Sequence, residues 1–165
     1  MEFPAEGQLA AFLFRDHTMY SCGPLDCVAT GKIAKLTREW VNIISSSPRI
    51  PGADTPERFT ILRSDITRAW ELVPSGAMPR AGRYVEVRWL RHFDGQVTAD
   101  EQITYGLLVS KGRKALTVAY WHYAKWPRKV DTNTEFTVIP RSAVRAIITL
   151  ARRRRQWPER QSPPS

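Results

Sequence analysis

Two stretches in the latter part of the chain carry residue types suited to gripping a polyanion. Lys111, Arg113 and Lys114 fall within four positions, and Tyr120-Trp121-His122-Tyr123-Ala124-Lys125-Trp126-Pro127-Arg128-Lys129 interleaves rings with cations over ten. Cations neutralise phosphates and release counterions, while flat rings stack on unpaired bases. Further along, Arg152-Arg153-Arg154-Arg155 places four guanidinium groups in a row. The candidate nucleic-acid contacts are therefore Lys111, Arg113, Lys114, Trp121, Tyr123, Lys125, Trp126, Arg128 and Lys129, with Arg152, Arg153, Arg154 and Arg155. On a strand, alternate residues face opposite sides, so Tyr120 and His122 share one face while Trp121 and Tyr123 share the other. One of those two sets must then belong to the core.

The distribution of charge supports an anionic partner. Through residue 75 the chain holds 8 Lys/Arg against 9 Asp/Glu, a net of −1; from residue 76 onward it holds 17 against 7, a net of +10. An even spread would speak only for solubility. Concentration in one part of the chain points to an acidic partner of that part, either nucleic acid or an acidic protein surface.

Other chemistries find little support. His17, Cys22 and Cys27 follow a His-x4-Cys-x4-Cys spacing, whereas zinc usually takes four ligands with tighter cysteine pairs, so no metal and no cofactor are expected. The two cysteines are too few for a disulfide framework, and a reducing cytoplasm is the expected location. Asp16-His17 and Ser64-Asp65 offer suitable atoms, but no nucleophile, base and orienter fall into a recognised arrangement. No phosphate-cradling glycine loop or dinucleotide fingerprint is present, so no enzymatic activity is expected. There is no apolar run of membrane-spanning length. The opening Met1-Glu2-Phe3-Pro4-Ala5-Glu6 lacks the basic region and apolar core of a secretory signal.

The elements that must position these residues come in two similar sets. Residues Gly31 to Trp70 and Gly106 to Ile147 follow one plan, closing on Phe59-Thr60-Ile61-Leu62-Arg63-Ser64-Asp65-Ile66 and on Phe136-Thr137-Val138-Ile139, an extra Pro140, then Arg141-Ser142-Ala143-Val144. A period of about 75 residues is too long for a solenoid unit and suits a small domain. Strand signals dominate: Leu9 to Arg15, Cys27 to Lys35 with a bend at Gly31, Trp40 to Ile44, Arg58 to Leu62 and Ile66 to Leu72. In the second set Tyr84 to Leu90 alternates as a strand does, and Ile103 to Val109 and Lys114 to Tyr123 flank a hairpin turn at Ser110 to Arg113. The equivalent turn in the first set falls at about Leu36 to Glu39, without glycine. Prolines and glycines from Val73 to Gly82 mark the boundary.

At Ile139-Pro140-Arg141-Ser142-Ala143-Val144 the proline presets φ for one turn of 3₁₀ helix between the last two strands. In this the chain resembles the SH3-like small barrels, and Arg63-Ser64-Asp65-Ile66 resembles the second motif of Sm-like proteins, though no counterpart of their N-terminal helix is evident. With Trp89, Gly106 and Ile139-Pro140-Arg141 at the matching places, the second set is similar to small phage and mobile-element proteins. The expectation is an all-β chain. It would comprise a first SH3-like antiparallel barrel over 5–73, a second, basic one over 82–150, and a basic flexible tail over 151–165. The expected function is a non-enzymatic nucleic-acid-binding accessory protein of phage or mobile-element type. The alternatives are an adaptor or inhibitor docking on an acidic partner, or a component that assembles with copies of itself.

Overall fold

The computed structural model describes residues 2–17, 24–48, 57–93, 96–125 and 134–153. Ten strands form one antiparallel hydrogen-bonded sheet. They are β1 (Leu9–Asp16), β2 (Leu25–Leu36), β3 (Trp40–Pro48), β4 (Glu57–Leu62) and β5 (Ile66–Pro74), then β6 (Tyr84–Phe93), β7 (Gln96–Lys111), β8 (Ala115–Tyr123), β9 (Glu135–Pro140) and β10 (Val144–Arg152). A single 3₁₀ turn, Arg141–Ala143, joins β9 to β10 as the proline predicts. Among the described residues no helix is long and apolar enough to cross a membrane.

The order is β4-β3-β2-β1-β5-β10-β6-β7-β8-β9, with cross-pairings β3–β7 and β2–β8. Following neighbours from β1 through β2, β3, β7, β6, β10 and β5 returns to β1, which closes an antiparallel barrel. Among the described residues closure leaves only β4 and β9 as outer strands, which limits exposed sheet edge. The register of the two halves recurs. Gly7 N donates to Ile33 O and Gly82 N to Leu108 O, each glycine at φ 84°. Arg63 N donates to Glu39 O, and Arg141 N to Lys114 O. Along β5–β10, Ser75 N reaches Thr149 O and Arg153 N reaches Glu71 O, on either side of the Val73–Ala151 pair.

Bending explains how one long strand serves two neighbours. β2 pairs with β1 up to Lys32 and with β3 beyond it; β7 divides likewise between β6 and β8 at Leu107. Gly31 and Gly106 stand at these bends, where a Cβ would lie 2.6 Å from Ile44 O and 2.4 Å from Ala119 O. Only a residue without a side chain allows that approach. The glycine-free turn after β2 is held instead by Thr37, whose Oγ1 accepts from Trp40 N at 3.0 Å and from Glu39 N at 3.3 Å.

Three apolar clusters follow from the alternation. Phe12, Phe14, Ile33, Val41, Ile43 and Ile61 lie inside the first half, and Val85, Val87, Leu108, Leu116, Val118 and Ile139 inside the second. Ala11, Val28, Leu72 and Leu150 join the halves. The closing strand corrects one sequence alignment. β4 and β9 bury the same places, Phe59 with Ile61 and Thr137 with Ile139, so Pro140 is the counterpart of Leu62 rather than an extra residue. β10 also runs on to Arg152, past the boundary expected at 150.

Candidate nucleic-acid interface

The β7–β8 hairpin carries Lys111 at the end of β7 and Arg113 and Lys114 in its turn, which Gly112 N closes on Ala115 O at 2.9 Å. Two further segments are tied to it. Arg141 N donates to Lys114 O at 2.9 Å, which brings the 3₁₀ turn alongside. Leu108 N donates to Arg83 O at 2.8 Å, Arg83 N to Arg80 O at 3.2 Å and Lys111 Nζ to Pro79 O at 3.2 Å. Arg80, Arg83, Lys111, Arg113, Lys114 and Arg141 thus share one rim of the second half, and all six are exposed. Segments 76–85, 102–125 and 136–153 contain no Asp or Glu. Among the described residues none of the six has a carboxylate within ion-pair distance. Elsewhere in the second half charge is balanced: Arg88 Nε lies 2.8 Å from Glu86 Oε1, and burial with Glu86 nearby pushes the Tyr105 phenol up to about 12.

The corresponding rim of the first half has another character. The recurring register places Ala5, Gln8, Leu36, Arg38, Glu39 and Arg63 where the second half has the six cations, and Glu6 where it has Ala81. Two of the four charges there, Glu6 and Arg63, are used internally. Glu6 Oε1 accepts from Leu36 N at 2.7 Å, and Arg63 donates to Thr37 O at 2.7 Å with its guanidinium 4.3 Å from the Phe3 ring. Lys35 Nζ stands 5.8 Å from the Trp40 ring. Unpaired like charges on one rim cost stability through self-repulsion unless an anion occupies it.

Two of the three rings expected to face a ligand, Trp121 and Tyr123, are placed otherwise. β8 pairs with β2 through Cys27–Tyr123, Val28–His122 and Ala29–Trp121. Trp121 sits edge-on to Phe14 at 4.7 Å and 5.1 Å from Phe59; Tyr123 packs on the same first-half cluster. Tyr120 and His122, on the opposite face, are buried at 7% and 4% exposure. Both faces of this strand end are thus engaged, because it is wedged between its own half and the other. Burial raises the Tyr120 phenol and lowers the His122 imidazole from their ordinary values. Lys125 is exposed just beyond β8. Trp126, Arg128, Lys129, Arg154 and Arg155 lie outside the described residues.

The arginine run begins docked on the first half. Arg152 lies 3.9 Å over the Trp70 ring and opposes the rise that burial imposes on the Tyr84 phenol. Arg153 pairs with Glu71 Oε2 at 3.2 Å. Among the weaker candidates, His17 Nε2 stands 3.6 Å from Asp65 Oδ1, Cys27 is buried in the first cluster, and Cys22 lies outside the described residues.

Sequence reasoning found the hairpin cations and missed Arg80, Arg83 and Arg141. Arg80 and Arg83 stand in the Pro/Gly-rich boundary and Arg141 in the closing turn, each far in sequence from the hairpin. Comparing the two halves position by position exposes the first two, since Arg80 and Arg83 replace neutral Ala5 and Gln8, whereas Arg141 matches Arg63 and shows only in the fold. Compared with protein-family models, curated proteins and solved structures, the chain matches none, so its functional reading rests on this geometry.

Proposed function

We propose that this chain is a non-enzymatic nucleic-acid-binding protein, built from two SH3-like units that arose by duplication, whose second unit grips phosphates through the Arg80–Arg83–Lys111–Arg113–Lys114–Arg141 rim. The carrying observation is the contrast between the two rims: six exposed cations without carboxylate partners among the described residues on one, and a set of mixed sign, in which Glu6 and Arg63 are bonded internally, on the other. Backbone ties to the barrel hold the segments that carry these cations in fixed relation, so a ligand has to order their side chains but not the segments themselves.

Salt dependence tests the reading. Labelled single-stranded and duplex oligonucleotides are titrated with the full chain at about 50 mM and about 200 mM salt; engagement of all six cations on duplex predicts a log–log slope of about −5. Charge reversal at Arg80, Arg83 and Lys111 together should lower affinity by about tenfold or more and make that slope shallower. Reversal of Arg38 on the other rim should leave both unchanged. No binding at the lower salt, or binding indifferent to salt, overturns the proposal.

A further inference from the structure

The outer face of β9 continues the cationic rim with apolar surface. β9 is the last strand of the sheet and, among the described residues, pairs only with β8. Its residues alternate, Ile139 fully buried and Phe136, Val138 and Pro140 facing out, with Phe136 at 40% exposure and Val138 at 53%. Pro140 pairs with Ala115, and the next residue, Arg141, is bonded to Lys114. The apolar row therefore runs without a break into Arg141, Lys114 and Arg113. Met78, at 77% exposure, stands beside Pro79, the residue that accepts from Lys111. Three of the four exposed large apolar side chains among the described residues thus lie on this row or beside the rim it leads to. The matching strand of the first half, β4, carries Arg58 and Thr60 where β9 has Phe136 and Val138.

A duplex presents phosphates outward and keeps its bases stacked within, so a duplex-gripping rim gains nothing from an apolar margin. A single strand offers unpaired base faces next to its phosphates, and rings beside cations take both. We infer that the outer face of β8 and β9, with the adjoining rim, is a track for single-stranded nucleic acid, with one base on the Phe136 ring and phosphates farther along the same strand on Arg141, Lys114 and Arg113. This rests on the phosphate-gripping reading given above and specifies its ligand.

Oligothymidine and a duplex of equal length serve as probes of the full chain, with Phe136→Ala and Phe136→Trp compared by anisotropy at one salt concentration. The expected result is tighter binding of the single strand, a loss of roughly tenfold in Phe136→Ala, retention in Phe136→Trp, and unchanged duplex binding. Thermal melting controls for folding, which an outer-strand side chain at this exposure should scarcely affect. Equal affinity for both probes, with Phe136→Ala neutral while the rim reversal abolishes binding, overturns the single-strand assignment and leaves the phosphate reading standing. Failure of both probes to bind at low salt removes that reading as well. Concentration-dependent association of the wild type that Phe136→Ala abolishes would mark the face as a contact between copies, and would also overturn the inference.

Discussion

The two cross-pairings that tie the halves together share a register and differ in chemistry. At β2–β8, Ala29 faces Trp121, and Phe14 meets the Trp121 ring edge at 4.7 Å. At β3–β7, Ser46 faces Thr104; the Thr104 hydroxyl accepts from Trp89 Nε1 at 3.0 Å and shares a hydrogen bond with Ser46 Oγ at 3.0 Å. One junction is held by ring packing, the other by a short polar relay. The backbone ladder sets the geometry in both, which frees the side chains to diverge. The same freedom produced the two unlike rims, so in this molecule differences between equivalent positions are the guide to function.

The shared feature gives the largest expected effect. Gly31→Ala and Gly106→Ala would each drive a Cβ against a backbone carbonyl, at 2.6 Å from Ile44 O and 2.4 Å from Ala119 O. Neither oxygen can swing aside without breaking the ladder, so each substitution should destabilise by roughly 3 kcal/mol or more. Urea midpoints measure it. Tolerance of one substitution but not the other would break the equivalence of the halves.

Much of this equivalence was legible from residue types alone. Gly31 announced the bend that Gly106 repeats, Ser110 to Arg113 the hairpin, and Pro140 the 3₁₀ turn, because each is a local requirement of backbone geometry. The closing strand was misaligned by one residue because Phe59-Thr60-Ile61-Leu62 and Phe136-Thr137-Val138-Ile139 match in type but not in facing. Phe59 turns inward, 5.7 Å from Tyr120, whereas Phe136 turns out. A one-residue slip exchanges the two faces of a strand, and identity alone does not reveal it. The place of Trp121 was equally hidden, since its partners Phe14 and Phe59 come from the other half of the chain.

The junctions themselves supply the next contrast. Trp121→Ala removes a half-buried ring that touches Phe14 and Phe59, and should cost about 2–4 kcal/mol. Ser46→Ala deletes one hydroxyl from a relay in which Trp89 still reaches Thr104, and should cost about 1 kcal/mol. The ratio of the two, from denaturant midpoints at equal slope, sharpens the distinction between packed and hydrogen-bonded junctions. Equal costs would show that the β2–β8 rings contribute little beyond the ladder.

Acid should discriminate between the junctions more gently. His122 faces Val28 in the middle of the β2–β8 pairing, whereas its counterpart in β3–β7, Ser47 opposite Ile103, does not titrate. Burial holds the imidazole below its ordinary value, although Nδ1 lies 2.8 Å from Tyr123 O, a contact that favours the charged form. A histidine depressed in the folded state is better tolerated neutral. Its contribution is therefore fully present above its unfolded value of about 6.5, declines as pH falls below that, and levels off once the folded value is passed. Urea midpoints at about pH 7.5 and about pH 5 should show a loss of stability at the lower pH in the wild type that His122→Gln largely removes. An unchanged pH dependence in that variant would mean that His122 stays neutral throughout or meets water when charged, and that acid does not act through the β2–β8 junction.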